Sequence, residues 1–207
     1  MSRWRLAVGL LAAAGYALLA HWLTLQSAGR PWALAVLAGP VWGVGALVAA
    51  RRRQWLALAA LAAVAVAVAA IVAHGGIGDV NRLYVLQHAG IHLVLSATFA
   101  LSLRPGRVSL IGGVATRVHG TLTPAMLAYS HRVTAAWAIY FVLMALLSVW
   151  VWAACSWAVW SLLANLVTPV AIASLFVGEY GLRYWLHPEF ERATLMDAAR
   201  AYSRAAP

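Results

Sequence analysis

A run of 46 residues without a charged side chain, residues 133–178, constrains the fold of this chain more than any other feature. As one α-helix the run would be roughly 69 Å long, more than twice the hydrocarbon thickness of a bilayer. The run therefore predicts two membrane-spanning helices joined by a turn. Tryptophans close to Cys155 mark the position of that turn, because indole rings favour the interface between membrane and water.

The rest of the chain is equally apolar. Hydrophobic residues make up 64% of the sequence and charged residues only 10%, whereas soluble domains carry about 25% charged residues. Apolar segments of about 20 residues recur, the length that an α-helix needs to cross a membrane. None shows the period of two that is typical of a transmembrane β-barrel. We therefore expect one all-α domain, a polytopic membrane bundle of six transmembrane helices.

The boundaries of the spans follow from the apolar runs and the Arg-containing connectors. The first run resembles a signal peptide, but the chain carries it after Met1, and we expect it to remain as a signal-anchor helix. The loop at residues 104–132 has an apolar middle, residues 109–118, expected to lie along the membrane surface. A short amphipathic helix is expected in the tail, residues 184–207. The spans are predicted at residues 6–25, 32–50, 54–73, 83–103, 133–153 and 157–183.

The arginines predict the orientation. All fifteen basic residues are Arg, and in the six-span arrangement thirteen of them fall on one side and only Arg30 and Arg82 on the other. Connectors rich in Arg remain in the cytoplasm, so both termini are predicted to be cytoplasmic and the protein to lie in a bacterial inner membrane. This distribution accounts for the net charge of +10 without a nucleic-acid partner. The single Cys155 excludes an internal disulfide and a Cys-based metal cluster.

A histidine pair lies in the fourth predicted span. His88 and His92 are four residues apart and therefore share one face of a helix. Two such imidazoles can bind a metal ion if a third ligand arrives, for which His74, Asp79 and His21 are candidates. Haem is the other candidate cofactor, but its second axial ligand would have to come from another helix. The alternatives are hydrogen bonds between helices and a path for a substrate or protons.

A second polar group belongs to the predicted cytoplasmic side. Glu179 precedes Arg183 by about one helical turn and can also reach Arg132. One interpretation is an ion pair that anchors the bundle, with arginines that contact anionic lipid head groups. The other is a docking face for an acidic or phosphate-bearing partner, because guanidinium groups bind phosphate and carboxylate through two parallel hydrogen bonds. The group consists of Arg104, Arg107, Arg117, His119, Arg132, Glu179 and Arg183.

No motif in the sequence indicates catalysis. There is no Ser-His-Asp arrangement, no P-loop and no pair of intramembrane carboxylates. The repeated halves typical of secondary transporters are also missing from the sequence. Asn165, Thr168 and Pro169 predict a kink in the last span, in which the carbonyl freed by proline is satisfied locally.

Three short motifs carry a resemblance to a known family. They lie at residues 101–107 (LSLRPGR), 129–137 (YSHRVTAAW) and 176–183 (FVGEYGLR). On these motifs, and over roughly residues 82–188, the chain resembles a family of small proteobacterial inner-membrane proteins. Some members are encoded beside acyl carrier proteins and ketosynthases in aryl-polyene and xanthomonadin-like lipid clusters. The chain departs from the family at His131, where a second basic residue is usual.

The resemblance implies a function but no catalytic residue. It implies an accessory role in acyl-lipid synthesis or export, with membrane lipids and an acidic acyl carrier protein as partners. The basic residues of the predicted cytoplasmic side would then contact the carrier protein or a lipid head group. A metal- or haem-binding protein that uses His88 and His92, and a structural subunit of a larger membrane complex, remain the alternatives.

Overall fold

The computed structural model describes residues 3–26, 31–74 and 81–190. Within these ranges the chain forms seven helices and no strand, which confirms the all-α class. The predicted helix in the tail and the connector that carries Asp79 lie outside the described ranges. The helices are α1 Arg3–Gln26, α2 Pro31–Arg51, α3 Trp55–Ala73, α4 Asn81–Ser102, α5 Leu110–His119, α6 Pro124–Ala154 and α7 Trp157–Leu186.

Four helices in the described part are long and apolar enough to cross a membrane. They are α4, α6, α7 and the Ala7–Gln26 portion of α1, and a shorter apolar segment, Trp55–Ile71, lies in α3. Large apolar side chains such as Leu56, Leu146 and Val177 are more than half exposed on the outside of these helices. A soluble protein rarely presents so much contiguous apolar surface to water. The surface is that of a protein surrounded by lipid.

The core lies where α4 and α6 pack against each other in antiparallel orientation. Near the start of α4, Tyr84 packs in a buried cluster with Val151 and Trp160. Further along α4, the Ser96 hydroxyl donates a 2.8 Å hydrogen bond to the carbonyl of Ala138. Close packing here depends on small residues, because small side chains let helix backbones approach within the bundle. The fully buried Ser148 of α6 is one of them.

Helix α5 occupies the middle of the connector that was predicted as a surface loop. Its first three backbone N–H groups have no partner within the helix, and side chains satisfy all three. Ser102 accepts from Leu110, Thr134 from Ile111, and Ser109 from Gly112. Ile111 of α5 also packs against the buried cluster formed by Val133, Trp137 and Phe141 of α6, so α5 lies against α6.

Helix α6 begins at Pro124, nine residues before the predicted start of the fifth span at residue 133. The Thr123 side chain caps the helix by accepting a hydrogen bond from the backbone N–H of Met126. Proline is well suited to the first turn, since its missing N–H would have no partner there. The polar first turns were attributed to the loop because the apolar run starts only at Val133.

A π-helical turn at Leu163–Val167 interrupts α7. Pro169 cannot donate a backbone hydrogen bond and its ring clashes with the carbonyl four residues earlier, so a regular α-helix is disfavoured here. Within the turn, the backbone N–H and the hydroxyl of Thr168 both donate to the carbonyl of Leu163. At the position of the predicted kink the structure therefore has a π turn.

Candidate functional site

A cavity of about 40 Å³ lies between α5, α6 and the end of α7. We call it the α5 pocket. It combines apolar side chains with hydroxyl, imidazole, carboxylate and guanidinium groups. A volume of this size holds a few water-sized groups. Its lining consists of Ile111, Ala115, His119, Met126, Tyr129, Ser130, Glu179, Arg183 and Phe190.

An ion pair forms the charged wall of the α5 pocket. Arg183 Nε donates to Glu179 Oε1 at 2.8 Å, and Arg183 Nη2 donates to Glu179 Oε2 at 2.5 Å. The side chains of Arg183 and Glu179 are only 27% and 16% exposed. Two parallel hydrogen bonds fix both the distance and the plane of the guanidinium group. Tyr129 of α6 interacts with both members of the pair and connects it to the rest of the pocket.

A short turn after α7 closes the pocket on one side. His187 stacks on Phe190 with ring centroids 4.4 Å apart, and Tyr129 contacts both rings edge-on. His187 Nδ1 lies 3.0 Å from a carboxylate oxygen of Glu189. A backbone hydrogen bond within Glu189, followed by the hydrogen bond from His187, lowers the pKa of Glu189 below its usual 4.5. The contacts of Tyr129 with His187 and Phe190 thus hold the turn against α6.

The predicted basic group divides between the pocket and the surface. His119, Glu179 and Arg183 line the α5 pocket. Arg104 and Arg107 are exposed in the turn between α4 and α5, and Arg117 is exposed on α5. Arg132 is exposed on α6, and Glu179 pairs with Arg183 on its own helix.

A second polar site lies inside the bundle, on α4. His88 Nε2 is 3.2 Å from the Thr168 hydroxyl of α7, at the end of the π turn. His92 Nδ1 is 2.7 Å from the backbone carbonyl of His88. The two imidazole rings lie 4.4 Å apart, and His92 is 95% buried, with a relative exposure of 5%. The structure thus places the predicted pair on one buried face of α4.

The other candidate metal ligands do not join the histidine pair. His74 is exposed at the end of α3, and Asp79 lies outside the described residues. His21 of α1 instead forms a hydrogen bond of 2.8 Å with the Ser161 hydroxyl of α7. In the described part of the chain no three His, Cys, Asp or Glu side chains form a metal-binding group.

Polar contacts join α1 to the first half of α7. The Asn165 amide donates to the carbonyl and hydroxyl of Ser161 at 3.0 and 3.2 Å, and to the Thr24 hydroxyl at 3.4 Å. Trp157 Nε1 donates to the Thr24 carbonyl at 2.9 Å. The bonds to Thr24 are the kind of polar contact between helices that stabilises membrane bundles, whereas those to Ser161 lie within α7. His21 and Asn165 thus take part in the contact between α1 and α7.

Sequence reasoning missed two tyrosines of these sites. Tyr129 lies in a motif quoted for the family resemblance, but a tyrosine at the edge of a span is also typical of the membrane interface. Tyr84 precedes His88 by four residues, so the spacing 84–88–92 was a signal for one helical face. Both signals were present in the sequence and were outweighed by the usual interfacial role of tyrosine.

Comparison with known proteins leaves these sites to be interpreted from their chemistry. No protein-family model, no curated protein and no solved structure matches the chain.

Proposed function

We propose that this protein is an accessory component of acyl-lipid synthesis or export in a bacterial inner membrane. It crosses the membrane six times with both termini in the cytoplasm, and it docks a phosphate-bearing partner at the α5 pocket. The observation that carries the proposal is the convergence of two family-like motifs on this pocket. Tyr129 comes from one motif, and Glu179 and Arg183 come from another.

The basic surroundings of the pocket support an anionic partner. Arg104, Arg107, Arg117 and Arg132 are exposed around the elements that build the pocket. Exposed positive charges attract an acidic protein or an anionic lipid surface and raise the rate of encounter. The α5 pocket itself is small and partly lined by hydroxyl, imidazole and guanidinium groups, so the ligand that we propose for it is a compact polar group such as a phosphate.

The ion pair limits what Arg183 contributes. Both oxygens of Glu179 already accept hydrogen bonds from Arg183, so the pair carries no net charge. The attraction for an anion therefore comes from the exposed arginines. Arg183 would orient the phosphate, because the plane of its guanidinium group is already fixed when the phosphate enters the pocket.

The experiment for docking is charge reversal. We expect Arg104→Glu/Arg107→Glu to weaken binding of the purified protein in nanodiscs to its host's acyl carrier protein by at least tenfold. We expect Arg104→Lys/Arg107→Lys, which keeps both charges, to retain most of the binding. Vesicles with and without anionic lipid distinguish a lipid head group from the carrier protein. If charge reversal leaves partner binding and lipid output unchanged while the protein still inserts, the proposal is wrong.

The single cysteine tests the orientation. Cys155 is exposed in the turn between α6 and α7, which the six-span arrangement places on the periplasmic side. A membrane-impermeant maleimide should therefore label Cys155 in spheroplasts without lysis. A Cys155→Ser/Thr121→Cys variant, with its thiol in the connector between α5 and α6, should be labelled only after lysis. The opposite pattern would contradict cytoplasmic termini.

A further inference from the structure

Three buried polar atoms on one face of α4 have no hydrogen-bond partner among the described residues. They are the Tyr84 hydroxyl, His88 Nδ1 and His92 Nε2. The three residues are spaced by four, which places their side chains one above another along the helix. Burying an unsatisfied polar atom costs about 1–3 kcal/mol. Three such atoms in succession indicate that this face binds something.

The hydrogen bonds show which form of each imidazole is present. A carbonyl oxygen can only accept, so the proton of His92 lies on Nδ1 and its Nε2 carries a lone pair. The Thr168 hydroxyl donates its proton to Leu163, so Thr168 accepts from His88 Nε2. His88 therefore carries its lone pair on Nδ1. Both unpartnered nitrogens are lone pairs, as in imidazoles that bind metals.

The surroundings favour a compact ion over haem. The ring of His92 has the ring of His88 at 4.4 Å and that of Phe141 at 5.9 Å, which leaves no slot for a porphyrin. The second nitrogen of each imidazole is bonded to a carbonyl or a hydroxyl, which is how proteins orient histidines that bind metal ions.

The atoms available as ligands indicate which metal ion the site would bind. Both imidazoles are neutral, and Met144 of α6 brings a soft thioether into the buried cluster that contains Tyr84. In the described part of the chain, the carboxylates are those of Glu179 and Glu189, at the α5 pocket and the turn beside it, so none of them belongs to this face of α4 to balance a second positive charge. A single charge costs less to bury than a double one, and soft ligands favour monovalent copper. We propose that His88 Nδ1 and His92 Nε2 bind one Cu(I) ion inside the bundle.

Competition with a chromophoric Cu(I) chelator tests the proposal. We expect the purified protein in nanodiscs to remove one Cu(I) per chain from its bicinchoninate complex. His92→Phe keeps an aromatic ring and should weaken Cu(I) binding by more than about tenfold, since even indirect supports of a metal site are worth that much. His131→Phe replaces an exposed histidine and should bind like the wild type. Unchanged binding by His88→Phe/His92→Phe would overturn the proposal.

Two further measurements use the wild-type protein and therefore do not depend on how the variants fold. X-ray absorption of the copper-loaded wild-type protein should show imidazole scattering from two histidines, and a spectrum without it would overturn the proposal. Zn²⁺ is the comparison ion. If the wild-type protein binds Zn²⁺ as tightly as Cu(I), the site is not selective for a monovalent ion and the assignment to copper is wrong. If neither ion binds, the proposal is overturned.

Discussion

The Nδ1–H of His92 donates a 2.7 Å hydrogen bond to the backbone carbonyl of His88, one turn earlier on α4. This bond directs Nε2 of His92 into the buried interior of the bundle, where it has no partner among the described residues. His88 is oriented the other way, because its Nε2–H faces Thr168. The two rings thus leave different nitrogens, Nδ1 of His88 and Nε2 of His92, without a partner in the described part of the chain.

This relationship predicts opposite tautomers. In the metal-free protein, we expect His92 to be protonated on Nδ1 and His88 on Nε2, because their partners accept hydrogen bonds at those atoms. Solid-state NMR of ¹⁵N-labelled histidine distinguishes the two tautomers by their chemical shifts. His88→Phe and His92→Phe assign the signals, and the same tautomer at both positions would contradict the hydrogen bonds.

Two neighbouring glycines of α5 should respond in opposite ways to alanine. A Cβ atom on Gly112 would lie 2.8 Å from Ser109 Oγ, the atom that caps α5. We expect Gly112→Ala to destabilise the protein by about 1 kcal/mol through loss of this cap. Gly113→Ala meets nothing within 4 Å and should stabilise the helix by up to about 1 kcal/mol.

Thermal unfolding in one detergent compares the two variants directly. Hydrogen exchange of the α5 amides adds a local measurement, which should rise for Gly112→Ala only. Equal effects of the two substitutions would show that Ser109 moves aside without losing its contact with the backbone.

Thr134→Val should loosen the contact between α5 and α6. Thr134 is fully buried and its hydroxyl accepts a hydrogen bond from the backbone N–H of Ile111. Valine has almost the same shape, so the main effect is an unpaired N–H at a cost of about 1–3 kcal/mol. Thr98→Val is the control, since the exposed Thr98 bonds only to its own helix. Faster hydrogen exchange in α5 for Thr134→Val, but not for Thr98→Val, is the expected result.

Asn165→Leu should weaken the attachment of α1 to α7. The substitution removes the hydrogen bond to Thr24 of α1, a contact between membrane helices worth about 0.6–1.7 kcal/mol, together with the bonds to Ser161 on its own helix. Limited proteolysis should release α1 sooner, and the melting temperature should fall. Ser174→Leu, at an exposed position of the same helix, provides the control. An unchanged melting temperature for Asn165→Leu would mean that other contacts hold α1.

Glu179 and Arg183, the ion pair of the α5 pocket, should show a large favourable interaction energy. Arg183→Leu leaves the largely buried carboxylate of Glu179 without its partner, and we expect a loss of about 1–3 kcal/mol after allowance for its partial exposure. Glu179→Leu/Arg183→Leu removes both charges and should be more stable than either single variant. A double-mutant cycle in denaturant measures the coupling. Additive effects would show that the pair contributes no interaction energy.

Much of the fold could be predicted from the chain, because hydrophobic length is a local property. The uncharged run at residues 133–178 gave two helices with a turn at Cys155, and the structure has α6 and α7 there. The start of α6 could also have been found, since Thr123 before Pro124 is a typical helix beginning. Helix α5 was harder to predict, because residues bonded to its first turn, Ser102 and Thr134, lie on other helices.

The candidate sites were only partly predictable for a related reason. The spacing of His88 and His92 predicted a shared face, and Glu179 and Arg183 predicted an ion pair, since both relationships lie within one helix. The contact of His88 with Thr168 joins residues eighty positions apart, and nothing local encodes it. Pro169 predicted a kink, but whether a kink becomes a π turn depends on how the neighbouring helices pack.

The π turn of α7 determines which direction the side chains of the second half of the helix face relative to those of the first half. A π turn accommodates one extra residue, and one residue corresponds to about 100° of rotation around the helix axis. Deleting a residue within Leu163–Val167 would therefore swing Glu179 and Arg183 away from the α5 pocket while Ser161 kept its place against α1. The π turn therefore fixes how the last part of α7 is rotated relative to its first part. A one-residue change in the middle of the helix would misalign a site several turns away.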